Sequence, residues 1–358
     1  MSIESKKLLT KSPLPWQASV WSNLYQLVQK KQLPHAIFFK GIAQSGKTHF
    51  ATAFAQLLLC EIPQLIPNTD HYKSCQQCHA CHLFQANTHP NYHYITPADA
   101  SKKEVISIEV IRDLTTALQQ TAWSSDPNAH RREYSTVVII DPADALHIAA
   151  SNALLKTLEE PMTGIVFMLL SASAYIVPAT IQSRCHSIIL PLPSFEVAYS
   201  WMSQQVKKIP SKIDLFNLEM SLQITDNNPL HALYLLKTKR IETSYKVIFE
   251  SFISLINPSV NPSDIAQIWL KQPVEIVFNS LMQITLWLMQ AKLGHRALLD
   301  HLQISEAHLT AVLQYKTVIA LSNYLETIKK VISEMRISHL NLLLCYEKLA
   351  YNFIYTRK

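Results

Sequence analysis

The sequence predicts a parallel α/β domain carrying a phosphate-binding loop, followed by an all-helical C-terminal region. Three observations predict it. Gly41-Ile42-Ala43-Gln44-Ser45-Gly46-Lys47-Thr48 has G-x4-G-K-T spacing between a strand-like and a helix-like segment. Continuous apolar runs then alternate with helical patterns up to about residue 190, the signature of a parallel sheet covered on both faces. After Pro191-Leu192-Pro193 no further buried strand is legible, and the remainder reads as successive helices with prolines at their starts.

Taken in order, Pro13 and Pro15 precede an amphipathic run from Trp16 to Lys30, with Val20, Leu24, Leu27 and Val28 at helical spacing and Pro34 closing it. His35–Phe39 is the strand before the phosphate loop, and Thr48–Leu58 the helix after it. The chain then leaves the alternation for a cysteine-bearing segment and returns through a strand at Tyr92–Thr96 and a helix at Ile108–Ala122. The buried strand Val137–Ile140, a helix Ala149–Glu159 stopped by Pro161, the buried strand Ile165–Leu170, a short helix beyond Pro178 and a last strand Ser187–Leu190 complete the pattern. In the helical remainder, the apolar stripes Ile276–Met282 and Leu340–Leu344 read as internal core.

The loop has a mechanical reason for its glycines. Only four glycines occur in the chain, and Gly41 and Gly46 are two of them. They let backbone N–H groups curl around an anion while the next helix adds its positive end. Lys47 would reach the outer phosphates, the Thr48 hydroxyl would ligate magnesium, and Asp141, at the end of the strand Val137–Ile140, completes the expected ATP/Mg site. The residue after Asp141 is Pro142, where a hydrolysing ATPase of this pattern places Glu. The expectation is therefore a nucleotide fold without its general base, in which binding, if retained, is static.

Composition bounds the rest. At 358 residues with 48% hydrophobic and 16% charged residues, the chain has material for two or three globular domains. No apolar run approaches the ~20 residues that span a bilayer, and Met1-Ser2-Ile3-Glu4-Ser5-Lys6-Lys7 lacks the apolar stretch of a signal peptide; the expectation is a cytoplasmic protein without membrane contact. The net charge of +6 is dispersed, with only short pairs such as Lys102-Lys103, Arg131-Arg132 and Lys207-Lys208, so a solvated surface and direct nucleic-acid contact are equally open. Of six cysteines, Cys60, Cys75, Cys78 and Cys81 lie close together with C-x14-C-x2-C-x2-C spacing. In a reducing compartment that spacing suits a tetrahedral structural zinc site in the segment 60–81, with His71, His79 and His82 as alternative fourth ligands.

Several strings together carry a resemblance: Leu33-Pro34-His35-Ala36, the four cysteines inserted after the loop helix, Ser151-Asn152-Ala153-Leu154-Leu155-Lys156-Thr157-Leu158-Glu159-Glu160-Pro161, and Ser183-Arg184-Cys185. They closely resemble the bacterial clamp-loader ATPase family, and within it the delta-prime branch of DNA polymerase III more than the tau/gamma motor branch. The resemblance is specific over residues 13 to 193 and architectural beyond. It implies an AAA+ P-loop module at 1–193, a small helical lid at 194–240, and an all-helical collar at 241–358 joining five subunits. Implied partners are the delta and tau/gamma subunits and, through the complex, the sliding clamp and primer-template DNA.

Individual positions separate motor from non-motor. In the motor subunits the strand-end Asp is followed by a Glu that orients the attacking water; here Pro142 offers neither acid nor backbone donor, and Asp144 is three residues from Asp141. The motor lid ends in Arg-Asp-Ala-Leu, and this chain reads Leu230-His231-Ala232-Leu233. The polar residue expected after the strand Ile165–Leu170 is Ser171 or Ser173. Resemblance also assigns Arg184 to the ATP of the neighbouring subunit, as an arginine finger acting in trans. Two other readings remain: an active tau/gamma-like ATPase, favoured by the intact loop, and a phosphoryl-transfer enzyme on a small molecule, disfavoured by the cysteine segment, the Ser-Arg-Cys box and the helical tail.

Overall fold

A computed structural model describes residues 12–66, 69, 71–97, 105–122, 134–172, 177–207, 215–257, 259–294, 314, 316–337 and 341–355. Met1–Lys7, the pairs Lys102-Lys103 and Arg131-Arg132, Lys208, Ser173 and Leu340, singled out above, lie outside the described residues. The chain forms two compact units, Met1–Leu192 and Pro193–Lys358.

In the first unit the strands are β1 (Ala36–Lys40), β2 (Gln64–Leu65), β3 (Tyr72–Lys73), β4 (Tyr92–Ile95), β5 (Thr136–Ile140), β6 (Ile165–Ser171) and β7 (His186–Ile189). The helices are α1 (Ala18–Gln29), α2 (Lys47–Leu59), α3 (His79–Gln85), α4 (Ile108–Ala122), α5 (Ile148–Glu159) and α6 (Ala179–Gln182). Five strands form a sheet in the order β4-β5-β6-β1-β7, every neighbouring pair parallel.

Period-two alternation explains why the central strands are apolar throughout. Ile37, Phe39, Val137, Ile139, Val166, Met168 and Leu170 point to one face, where Trp21 and Leu24 of α1 and Phe50, Phe54 and Leu57 of α2 cover them. Ala36, Phe38, Val138, Ile140, Phe167 and Leu169 point to the other, against Ile111, Leu114 and Leu118 of α4 and Ala150, Leu154 and Leu158 of α5. Trp21 meets Phe50 and Phe54 edge-on at centroid distances of 5.4 and 5.3 Å. The outer strand β7 is largely solvent-exposed.

This arrangement fixes the loop. β1 lies between β6 and β7, so its C-terminal end delivers Gly41 beside the ends of two neighbours, and α2 leaves the same edge. Ligands of parallel α/β sheets gather at such carboxyl ends. Between α2 and β4 the chain makes the antiparallel hairpin β2–β3 and helix α3. The phosphate loop thus lies between β1 and α2 at the carboxyl edge of a parallel α/β sheet.

The second unit is helical among its described residues. Helices Phe195–Val206, Leu215–Ile224 and Pro229–Lys237 surround a small core of Ala198, Met202, Leu218, Leu222 and Ala232. Met220, Ile224 and Leu235 from the same helices join the larger core built on Trp269, Trp287, Phe252, Tyr324 and Phe353, so the segment before residue 240 and the helices after it share apolar packing. Within the Ile276–Met282 stripe, Ile276, Val277, Phe278 and Leu281 are buried. In the other stripe Leu342 and Leu343 pack against the core while Leu344 turns to solvent, because three consecutive apolar residues exceed what one helix face buries.

Candidate nucleotide site and cysteine cluster

Gly46 takes φ 88°, the left-handed conformation that glycine tolerates, and its carbonyl accepts the first bond of α2 from Phe50 N–H at 2.9 Å. At Gly41 the approach is close: a Cβ there would lie 3.3 Å from Ser45 Oγ and 3.4 Å from the Leu190 carbonyl oxygen, so Ser45 would have to give by a few tenths of an ångström. Lys47 Nζ donates to the Gly41 and Ile42 carbonyl oxygens at 2.8 and 2.7 Å. Burial of the ammonium pulls its pKa down to about 8, against the opposite influence of Asp141 and Asp144. A second strap holds the loop from behind, where Gln17 Nε2 donates to the Ser45 carbonyl oxygen at 3.3 Å.

The residues present fit a phosphate group. Ser45 Oγ is buried in the loop without a hydrogen-bond partner, the kind of orphaned group a bound oxyanion satisfies. His49, one residue past Thr48, is also buried with neither ring nitrogen bonded. Burial pulls its pKa to about 4, so it is neutral at physiological pH.

Thr48 and Asp141 meet. Thr48 Oγ1 donates to Asp141 Oδ2 at 2.5 Å, and the Tyr94 hydroxyl donates to the same oxygen at 2.9 Å. Burial, then the Asp141 charge and hydrogen bond, raise the pKa of Tyr94. The Asp141–Pro142 peptide is cis, and a short 3-10 turn, Ala143–Ala145, follows. Within that turn Asp144 Oδ1 accepts from Ser171 Oγ at 2.8 Å. The two candidates beyond the strands, Asp144 and Ser171, are thus bonded to each other.

The four cysteines converge. Their sulfurs all lie within 4.8 Å of one another, all four residues buried, and Cys75 and Cys81 Sγ are 3.9 Å apart. A tetrahedral tetrathiolate with metal–sulfur bonds of about 2.3 Å needs sulfur separations of about 3.8 Å. Backbone amides supply the supporting shell: Cys60 Sγ accepts from Cys75 N–H at 3.2 Å, Cys75 Sγ from Cys78 N–H at 3.2 Å, and Cys78 Sγ from Cys81 N–H at 3.4 Å. Burial raises Cys75, but amide bonds from Gln77 and Cys78 outweigh it and bring the thiol to about 6, while burial pushes Cys60 up to about 11. Of the alternative ligands, His71 bonds elsewhere, through Nδ1 to Ser22 Oγ. The donor set suits a structural metal site.

Arg184 lies on the exposed turn after α6. Its Nη1 donates to the Thr180 carbonyl oxygen at 2.8 Å, and its Nη2 lies 2.5 Å from Glu159 Oε1 at the end of α5. Cys185 is partly buried, its thiol pushed up to about 11 by that burial, which makes it a poor nucleophile.

A family model described as DNA polymerase III, delta subunit, matches residues 16–194. The DNA polymerase III subunit delta' of Pseudomonas aeruginosa is 30% identical over 301 residues, 84% of this chain and 83% of that protein. The chain belongs to the delta-prime family. Its Haemophilus influenzae relative is 32% identical over 228 residues, 64% of this chain and 63% of the relative. A more distant match is the DNA polymerase III subunit tau of Bacillus subtilis, 28% identical over 62% of this chain and 36% of that one. A gamma subunit-related protein of Thermotoga maritima superposes at 17% identity with TM-score 0.39, over 93% of this chain and 99% of that one.

In this delta-prime chain three of the quoted strings, all but the cysteines, fold into one neighbourhood. His35 Nε2 bonds the Leu158 carbonyl oxygen at 3.0 Å, joining Leu-Pro-His-Ala to the end of α5, and Glu159 joins that helix end to Ser-Arg-Cys. Leu154 is buried beneath, while Lys156, Glu159 and Glu160 face solvent. Sequence reasoning missed Tyr94, Gln17, His71 with Ser22, and the pairing role of Glu159. For Tyr94 a signal existed, since parallel register sets it opposite Ile139, two residues before Asp141. His231 lies in the first turn of the helix Pro229–Lys237, its N–H bonded at 3.3 Å to the capping Asn228 side chain.

Proposed function

We propose that this clamp-loader subunit is a largely non-hydrolysing member of a heteropentameric ring with delta and tau/gamma subunits, acting in the cytoplasm to help load the sliding clamp on primed DNA. The observation that carries the reading is Pro142: no carboxylate follows Asp141, and the next acid, Asp144, is held by Ser171. Without an acid to orient water, a bound triphosphate keeps its terminal bond. Gly41, Gly46, Lys47, Thr48 and Asp141 would hold the nucleotide, and magnesium, when bound, neutralises phosphate charge. Cys60, Cys75, Cys78 and Cys81 would hold a structural zinc.

Arg184 is read as the finger for the neighbouring ATP. It is one-third exposed on a turn, and its guanidinium retains donors beyond those used on Thr180, Ser183 and Glu159. A guanidinium against developing phosphoryl charge is worth on the order of 10³ to 10⁵ in rate. The lid at 194–240 and the collar at 241–358 belong to the same reading, which divides a helical unit whose helices on either side of residue 240 share one core.

The test is turnover by the purified chain alone and after reconstitution with its partner subunits. The expected result is no hydrolysis alone, with magnesium present, and DNA-stimulated hydrolysis in the complex that falls when Arg184 becomes Ala although assembly is unchanged. Magnesium- and Lys47-dependent turnover by the isolated chain would instead establish the active-ATPase reading, which the intact loop favours.

A further inference from the structure

The pairing of Arg184 with Glu159 is a piece of construction that the finger reading does not require. One partner is local and one distant in sequence: Thr180, on the adjoining α6, offers a carbonyl oxygen, and Glu159 a carboxylate from the end of α5. They take opposite ends of the guanidinium, Nη1 and Nη2, and so fix its plane as well as its position. Nη1 also reaches Ser183 Oγ at 3.4 Å, so the Nε–H and one Nη2 hydrogen are left for another acceptor. Side-chain exposures of 34% for Arg184 and 49% for Glu159 keep the pair at the surface, where such a bond is too weak to sequester the arginine. A weak bond in a fixed direction orients without trapping.

From this geometry we infer that Glu159 is a positioning residue for Arg184, holding the guanidinium in the orientation in which it meets the phosphate of an adjacent protomer. The inference rests on the trans-finger reading. Its physical content is pre-organisation: rotamers of a long side chain are restricted before the subunits meet, so that less freedom is lost in the transition state. Glu159 is itself held in place, since α5 is anchored on the sheet through Leu154 and Leu158 and to the residue before β1 through the bond from His35 to the Leu158 carbonyl.

The experiment uses the reconstituted, DNA-stimulated complex with the adjacent subunit as the only one able to hydrolyse, and this chain as wild type, Glu159→Ala, Glu159→Gln, Arg184→Ala, or the double variant with both alanines. Sedimentation verifies equal assembly. Glu159→Ala should lower kcat roughly three- to fivefold, the range open to an exposed pair, with KM for ATP unchanged. Glu159→Gln, which keeps an acceptor oxygen, should recover part of the loss. In the Arg184→Ala background, Glu159→Ala should cost nothing further, because its effect passes through that arginine. If Arg184→Ala lowers the rate but Glu159→Ala leaves or raises it, or if the Glu159 effect persists in the double variant, the positioning role is overturned and the finger stands. If Arg184→Ala itself changes nothing, the finger reading fails, and the positioning role with it.

Discussion

At the residue scale, the site is governed by what each polar group bonds. Lys47 is the clearest case, because its ammonium rests on two loop carbonyls and burial brings its pKa to about 8. An anion at the loop favours the charged form, so binding takes up a proton wherever the free lysine is neutral. The sign follows: below about pH 8 affinity for nucleotide should be flat, and above it affinity should fall by roughly tenfold per pH unit. Titration of binding from pH 7 to 9.5 checks this, and Lys47→Met should bind weakly with no such slope. Tyr94 gives a second expectation. Its hydroxyl shares Asp141 Oδ2 with Thr48, so Tyr94→Phe should weaken magnesium-dependent binding by less than Asp141→Ala does, about 1 kcal/mol for one hydrogen bond.

How legible these residues were depended on locality. The phosphate loop is contiguous and the cysteines are closely spaced, so their chemistry is written in spacing, while Asp141 is legible as the residue that ends a buried strand. The bonds from Gln17 to Ser45, Ser22 to His71 and Glu159 to Arg184 join residues 25 or more apart, and no period or spacing encodes them.

At the element scale, apolar runs predicted the buried strands within a residue or two, because a strand buried on both faces needs no alternation. The last strand, expected at Ser187–Leu190, lies one residue earlier, at His186–Ile189, on an edge where His186, Ser187 and Ile189 are exposed. The cysteine segment illustrates how elements are coupled. Tyr72 stacks on Tyr25 at 4.6 Å, the Tyr72 carbonyl accepts from Trp21 Nε1 at 2.8 Å, and Gln17, just before α1, reaches the phosphate loop. Metal removal by chelation, or Cys75→Ser with Cys78→Ser, should therefore abolish about one bound zinc per chain and raise hydrogen exchange in β2, β3 and α3. The five-stranded sheet should keep most of its protection, since the cysteines form a cluster apart from its two cores and only Phe84 and Tyr72 of the segment reach one of them. Trp21→Ala removes a fully buried ring packed on Phe50 and Phe54 and should cost about 3–5 kcal/mol in denaturant unfolding of that unit.

At the scale of the whole molecule, the chain combines a P-loop unit, Met1–Leu192, with a helical unit, Pro193–Lys358. The change from strand runs to helical stripes at Pro191-Leu192-Pro193 made the transition readable, whereas the shared core of the helices on either side of residue 240 was not, because Met220, Ile224 and Leu235 look like any other helical apolar residues. Among the described residues no helix is long and apolar enough to cross a membrane.

The central claim separates a retained triphosphate cradle from lost hydrolysis, with Arg184 serving a neighbour. Its most direct test is ATP hydrolysis by the DNA-stimulated complex in which only the adjacent subunit is competent, comparing Lys47→Ala with Arg184→Ala in this chain. The account predicts an unchanged rate for Lys47→Ala and a loss on the order of 10³-fold for Arg184→Ala. A rate that collapses with Lys47→Ala and survives Arg184→Ala would contradict it.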